Sequence, residues 1–211
     1  LDVTSGTVEV KHVSGGPVRV IESGRVAKGV SASDAATQNL VEVKGSTLKI
    51  GQFDCDDKRV IDRTVTIELP REVAENMAGI TANVGLGDLT VTGIACHDLD
   101  LTLDSGDVEF TGTVTDTLNA EVGLGDATFE LNQAPAKSMD VSVGTGDVEI
   151  TVPNSTGFKA SLTLGCGDFE SDFLPDNYDG EMVSGLEFDN GDKSATYRFE
   201  VGLGDMSFDS E

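Results

Sequence analysis

The sequence predicts an all-β chain wound as a single-stranded β-solenoid, a parallel β-helix of about 19–21 residues per coil. Three observations predict it. The first is repetition: NVGLGDLTV at 83–91 returns as EVGLGDATF at 121–129 and EVGLGDMSF at 200–208, with SGDVEF, VGTGDVEI and LGCGDFES between them. The second is spacing. The Gly-Asp pairs place aspartates at 88, 107, 126, 147, 168 and 205, with gaps of 19, 19, 21, 21 and 37, the last close to two periods. The third is alternation. Counting from each Asp, the residues eight, six and four before it are apolar, as in Leu99, Leu101 and Leu103, and apolar residues resume one and three places after it, as in Val108 and Phe110. Polar residues fill the places between, so each repeat reads as strand, Gly-rich turn, strand, with one face buried. The alternative for the same pattern is an antiparallel β-sandwich of hairpins. Identical chemistry at every corner favours coils stacked in parallel, like over like.

The elements follow in order along one domain, 1–211. Residues 1–70 hold less regular coils. LDVTSGTVEV sets Leu1, Val3, Val8 and Val10 around Thr7, and VEVKGSTLKI sets Val41, Val43, Leu48 and Ile50 around Thr47, with Ser and Thr in place of Gly-x-Gly-Asp. A strand is expected at Val65, Ile67 and Leu69, and REVAENMAG (71–79) reads as a short helical turn ending at Gly79. Residues 71–173 carry the regular Gly-Asp repeats, 174–192 break the period as an irregular insertion, and 193–211 form a terminal coil.

At each corner the glycines Gly87, Gly106, Gly125, Gly146, Gly167 and Gly204 supply positive φ and room for close backbone approach. The aspartates, Asp205 included, accept nearby backbone N–H groups as turn residues do. That turn role is the favoured reading. A second reading makes Asp88, Asp107, Asp126, Asp147 and Asp168 a calcium ladder, because stacked carboxylates about 4.8 Å apart repel and attract cations when partly buried. One Gly-x-Gly-Asp per 19–21 residues is sparse for a metal that takes six or more oxygens, and DCDDKR (54–59) fails as an EF-hand loop. Calcium is therefore the one cofactor under consideration, and otherwise none is expected. Leu86, Leu124 and Leu203, between the glycines, either form an outward contact stripe or tuck back against the core.

The totals exclude whole classes of function. Fourteen Lys and Arg against 38 Asp and Glu give a net charge of -24, the wrong sign for nucleic acid or an anionic membrane surface. No apolar run is long enough for direct membrane insertion. Cys55, Cys96 and Cys166 are odd in number and unpaired in spacing, which reads as free thiols. His12 and His97 lie in unrelated contexts, every Asp has nearly the same surroundings, and no Ser or Cys elbow is present, so no enzyme is expected. Leu1 and Val3 already fit the strand pattern, so the chain is expected to start where an upstream leader or anchor has been removed.

The progression from VEVKGSTLKI through RTVTIELP and GITANVGLGDLTV to the recurring SGDVEF, GLGDATF and GTGDVEI resembles the bacterial putative-adhesin family, over roughly residues 40–208. The resemblance implies a single-stranded, right-handed β-helix of unknown function that is secreted, surface-anchored or facing the envelope. It implies no enzymatic residues and transfers no binding residue. The expected function is thus a non-enzymatic, adhesion-like module whose acidic face meets a protein, glycan or envelope component. A self-assembling scaffold is the alternative, and weak homo-oligomers are compatible with either.

Overall fold

The computed structural model describes residues 1–35, 39–52, 60–174, 184–192 and 194–211. Strands dominate because apolar and polar residues alternate over most of the chain, which suits a surface buried on one face only. β1 (Asp2–Ser5) and β2 (Thr7–Val13) flank the first corner, followed by β3 (Arg19–Val26) and the single-turn α1 (Ala32–Ala35). β4 (Asn39–Lys44) and β5 (Thr47–Gln52) precede β6 (Val60–Pro70) and the short α2 (Arg71–Ala74), which covers only the first part of the helical turn expected over 71–79, since residues 77–79 already belong to the next strand. β7 (Met77–Leu86) leads into β8 (Leu89–Ser105) and β9 (Val108–Leu124). Each of those two strands makes the second side of one coil, bends, and makes the first side of the next. β10 (Ala127–Gln133), β11 (Ser138–Thr145), β12 (Val148–Val152), β13 (Phe158–Cys166) and β14 (Phe169–Ser171) follow, then β15 (Ser184–Asn190), β16 (Ala195–Leu203) and β17 (Met206–Ser210).

Parallel pairing builds two sides. Before the corners the order is β4, β5, β1, β7, β8, β9, β11, β16, β13, β15; after them it is β3, β6, β2, β8, β9, β10, β12, β17, β14. The solenoid reading therefore holds and the hairpin sandwich does not. Inward side chains of both sides meet in one core, where Val10, Val91, Phe110, Phe129, Ile150 and Phe208 form one buried column in register.

Three expectations need correction. The stack does not follow chain order at its end: the coil with Asp205 lies between those with Asp147 and Asp168, since β16 pairs with both β11 and β13. The gap of 37 marks a coil threaded backwards, not a skipped period. Tyr197 pins it, donating its hydroxyl to the Pro135 carbonyl at 2.8 Å and stacking on Phe158 at 5.2 Å. Second, VEVKGSTLKI is no coil; β4 and β5 form an antiparallel hairpin with Gly45 at φ 60 in its two-residue turn. With no coil beyond it, Val43 stays 70% exposed. Third, within 174–192 residues 184–190 are a regular strand, antiparallel on β13. Residues 175–183 lie outside the described residues.

The second glycine of each corner shows how tight the stack is. Gly125 sits at φ +136, and a Cβ built there would run into the Gly106 carbonyl of the coil beneath. Gly125→Ala is expected to cost about 2–5 kcal/mol through backbone strain plus overpacking. That loss would lower the melting temperature by roughly 5–15 °C. Gly15→Ala, which meets nothing within 4 Å, is the control and should stay within about 0.5 kcal/mol of the parent.

Candidate functional site

The corner aspartates form one hydrogen-bonded ladder. Asp107 donates its backbone N–H to Asp88 Oδ1 at 3.2 Å, Asp126 to Asp107 at 2.9 Å, Asp147 to Asp126 at 2.8 Å, Asp205 to Asp147 at 2.8 Å and Asp168 to Asp205 at 2.9 Å. All six side chains are exposed. Each carboxylate below Asp168 is thus held by the next rung's amide, and solvent screens the repulsion, about 0.9 kcal/mol per pair in water. These bonds run from coil to coil, where the sequence reading placed the acceptance within each turn. Among the described residues no group of three or more His, Cys, Asp or Glu is placed to hold a metal ion.

The leucines are outward. Leu86, Leu124 and Leu203 are 60%, 57% and 56% exposed. They do not touch in sequence along the stack, because the column reads Ser5, Leu86, Ser105, Leu124, Thr145, Leu203, Cys166. Every second rung carries the leucine.

The outer face after the corner repeats that alternation with charge. Its first column reads Thr66, Glu9, Thr90, Glu109, Thr128, Glu149, Ser207, Glu170, a hydroxyl and a carboxylate in turn. Thr66 donates to Glu9 at 3.2 Å, and Thr111 in the neighbouring column donates to Glu130 at 3.2 Å. Before the corner the phase reverses: Thr102, Glu121, Ser142, Glu200 and Thr163 succeed each other. The chain therefore contains two kinds of coil. One has Glu or Asn, Val, Gly-Leu-Gly-Asp and then Thr or Ser; the other has a small polar corner residue and Glu after it.

The column after the corner and the Asp ladder run side by side past one groove. An open groove of about 470 Å³ beside the last four corners is lined by Asp126, Asp147, Asp205, Asp168, Glu149 and Glu170. On the other side a groove of about 430 Å³ runs past Asp100, Glu121, Asp140 and Glu200, with Arg198 bonded to Asp140 at 3.1 Å. Charge is sharply segregated: residues 1–71 hold ten of the 14 cations and ten of the 38 acids, so the whole net charge of -24 belongs to 72–211. The sequence carries that split openly. The alternating columns are also written there, but they emerge only when the coils are placed in spatial order.

Among the described residues, the histidines and cysteines lie apart. His97 shares a 2.9 Å hydrogen bond with Thr115, one rung on. Cys166 is exposed at a corner, while burial, then Asp98, push the buried Cys96 thiol up to about 12. Cys55 and DCDDKR lie outside the described residues. Lys137 bonds Asp116 at 2.8 Å and holds that carboxyl below its usual range. Asp209 is raised, first by burial and then by Asp172, with Glu149 and Glu170 adding to the effect.

A family model described as Toastrack DUF4097 matches residues 1–207. Among solved structures, a putative cell adhesion protein from Clostridium sporogenes is similar at 15% identity with a TM-score of 0.51, covering 100% of this chain and 90% of that one. A putative adhesin from Bacteroides fragilis is similar at 13% identity with a TM-score of 0.37, covering 98% and 89%. The first likeness is one of fold. No curated protein matches the chain.

Two outcomes follow from this surface. Thr128→Glu would line up Glu109, the new carboxylate and Glu149 on consecutive rungs, adding two contacts of about 0.9 kcal/mol each in water. The melting temperature should fall by a few degrees at about 10 mM salt, and most of that loss should vanish at about 500 mM. Asp209 gives a pH test. Its folded-state carboxyl binds the proton more tightly than the unfolded one, so its charge weakens the fold above its folded titration and not below its unfolded one. Asp209→Asn should raise the melting temperature at pH 7, and the gain should disappear when the pH is taken below the ordinary carboxylate range.

Proposed function

The chain belongs to the Toastrack DUF4097 family, and from that premise we propose that it is a non-enzymatic, adhesion-like binding module of the cell surface or envelope. It uses no cofactor, and the ladder aspartates are structural. The observation that carries the reading is the ordered acidic field: carboxylates held at fixed spacing on the outer face of the β stack, with the net charge of -24 belonging to residues 72–211. A surface of that kind recognises cationic or amine-bearing groups on a protein, a glycan or another envelope component. The name of the Clostridium sporogenes neighbour, a putative cell adhesion protein, supports a role in adhesion. No helix among the described residues is long and apolar enough to cross a membrane.

Open-ended stacking into filaments has less support. Antiparallel strands, β3 at one end and β15 at the other, break the parallel template that another coil would extend.

The test is retention of the purified protein on isolated bacterial envelopes at low and high salt. Replacing Glu109, Glu149 and Glu170 together by Gln should reduce retention several-fold at about 50 mM salt, and about 500 mM salt should abolish it for the parent as well. Glu42→Gln, at the neutral end, should bind like the parent. Retention that ignores both salt and the triple substitution would overturn the acidic-face reading.

A further inference from the structure

The fold does not need its corner leucines. Leu86, Leu124 and Leu203 stand outward, each more than half exposed. The same backbone position in the other coils is filled by Ser5, Ser105, Thr145 and Cys166. Those corners keep the same geometry: the glycine that follows has φ 131 to 143 after the small residues and 131 to 144 after the leucines. A small residue thus serves wherever the chain has leucine, and three leucines left in water add nothing to the core.

Stacking turns them into a notched ridge. Leucines on every second rung stand about 9.6 Å apart, with Ser105 flooring the notch between Leu86 and Leu124, and Thr145 the notch between Leu124 and Leu203. Carboxylates line both flanks. Two residues past the ridge runs the Asp ladder, whose coil-to-coil bonds use Oδ1 and leave the second oxygen of each exposed carboxylate outside them. Glu109 and Glu149 follow the two notches on the same coils, and Glu121 and Glu200 precede the leucines on theirs. That frame argues against two occupants. A second copy would set its own carboxylate ladder against this one, and an anionic lipid surface would bring phosphates to it.

A cationic chain complements the flanks, and the notches set its period. Its apolar side chains must recur on one face about every 9.6 Å. A polyproline helix repeats every three residues, about 9.3 Å, whereas positions seven apart on an α-helix stand about 10.5 Å apart and same-face residues of a strand about 6.6–6.8 Å. Over the three intervals from Ser5 through Ser105 and Thr145 to Cys166, the polyproline repeat slips by about 0.9 Å and the α-helix by about 2.7 Å. We propose that this corner edge docks a cationic segment of another protein in the polyproline conformation. An apolar residue at every third position enters the notches, and Lys or Arg between them lies on the Asp ladder. The proposal rests on the acidic-face reading above and names the partner for it.

The probe is a fluorescent peptide of about five Leu-Pro-Lys repeats, compared by anisotropy with a shuffled peptide of the same composition at about 50 mM salt. The repeat should bind the protein at least about fivefold more tightly than the shuffled peptide. The variant carrying Leu86→Ser, Leu124→Ser and Leu203→Ser should lose that difference, while both peptides keep a salt-sensitive attraction to it. Its melting temperature should stay within about 2 °C of the parent, and a larger fall overturns the premise that the fold does not need these leucines. Equal binding of the two peptides by the parent, abolished by salt, overturns the ridge and leaves the acidic face standing. Preference for the repeat that survives in the serine variant overturns the ridge as well. Binding of neither peptide overturns the ridge together with recognition of amines by that face. Pairing of the parent at about 100 μM, or flotation with phosphatidylcholine vesicles, lost in either case with the serine variant, assigns the ridge to a second copy or a lipid surface and overturns the proposal.

Discussion

Parallel, in-register stacking places the same backbone position of every coil about 4.8 Å above the last, and the rest of the molecule answers to that constraint. Whatever one coil carries, its neighbours must tolerate at van der Waals range. Apolar residues gain from it, and the column from Val10 to Phe208 is a continuous buried file. A corner side chain in the second-glycine column would strike the carbonyl beneath, so that column is glycine from Gly6 through Gly87, Gly106, Gly125, Gly146, Gly204 and Gly167. Charge is the hardest case, and the chain solves it in two ways. Where each carboxylate is capped by the next backbone amide, Asp recurs on every rung. Where no amide is available, as on the face after the corner, Glu alternates with a hydroxyl and like charges fall two rungs apart.

The distinction explains what could be read from the sequence. Strand, corner and buried face were legible because each is a local rule repeated at a fixed interval; that the corner aspartates bond from coil to coil was not. The threading of Asp205 was not legible from spacing, since a gap of 37 reads as two periods. It was nevertheless encoded. In chain order the two kinds of coil alternate up to Asp147, then the Asp168 coil repeats its predecessor's kind; placing the Asp205 coil between them restores the alternation throughout. A period measures how often a corner occurs, whereas neighbour compatibility says which corners touch. The orientation of Leu86, Leu124 and Leu203 depends on the same second kind of information.

The N-terminal end departs from the ruler for a physical reason as well. A coil at the end of a stack has one neighbour, so the pressure for repeated chemistry drops. There the chain uses antiparallel pairs, β3 on β6 and β4 on β5. The buried Arg63 stands where a glycine would be in later coils, against Gly6, and pairs with Glu22 at 2.9 Å. A buried guanidinium is tolerable only with such a partner. Arg19 with Glu68 and Arg25 with Asp62 add exposed pairs around it. At this end the three pairs match opposite charges locally.

At the far end the matching stops. Residues 72–211 offer four cations to 28 acids, so most carboxylates there can be balanced only by water, mobile ions or a partner. A folded domain gains nothing in stability from such an excess, because self-repulsion opposes compaction. The alternation of Glu with Thr and Ser keeps that repulsion low without removing the charge, although substituting the glutamates by more hydroxyls would have removed it outright. The lattice thus retains its acids while spacing them apart. The near-neutral residues 1–71 and the acidic remainder are then parts of one stack, which antiparallel strands flank at both ends, β3 on β6 and β15 on β13.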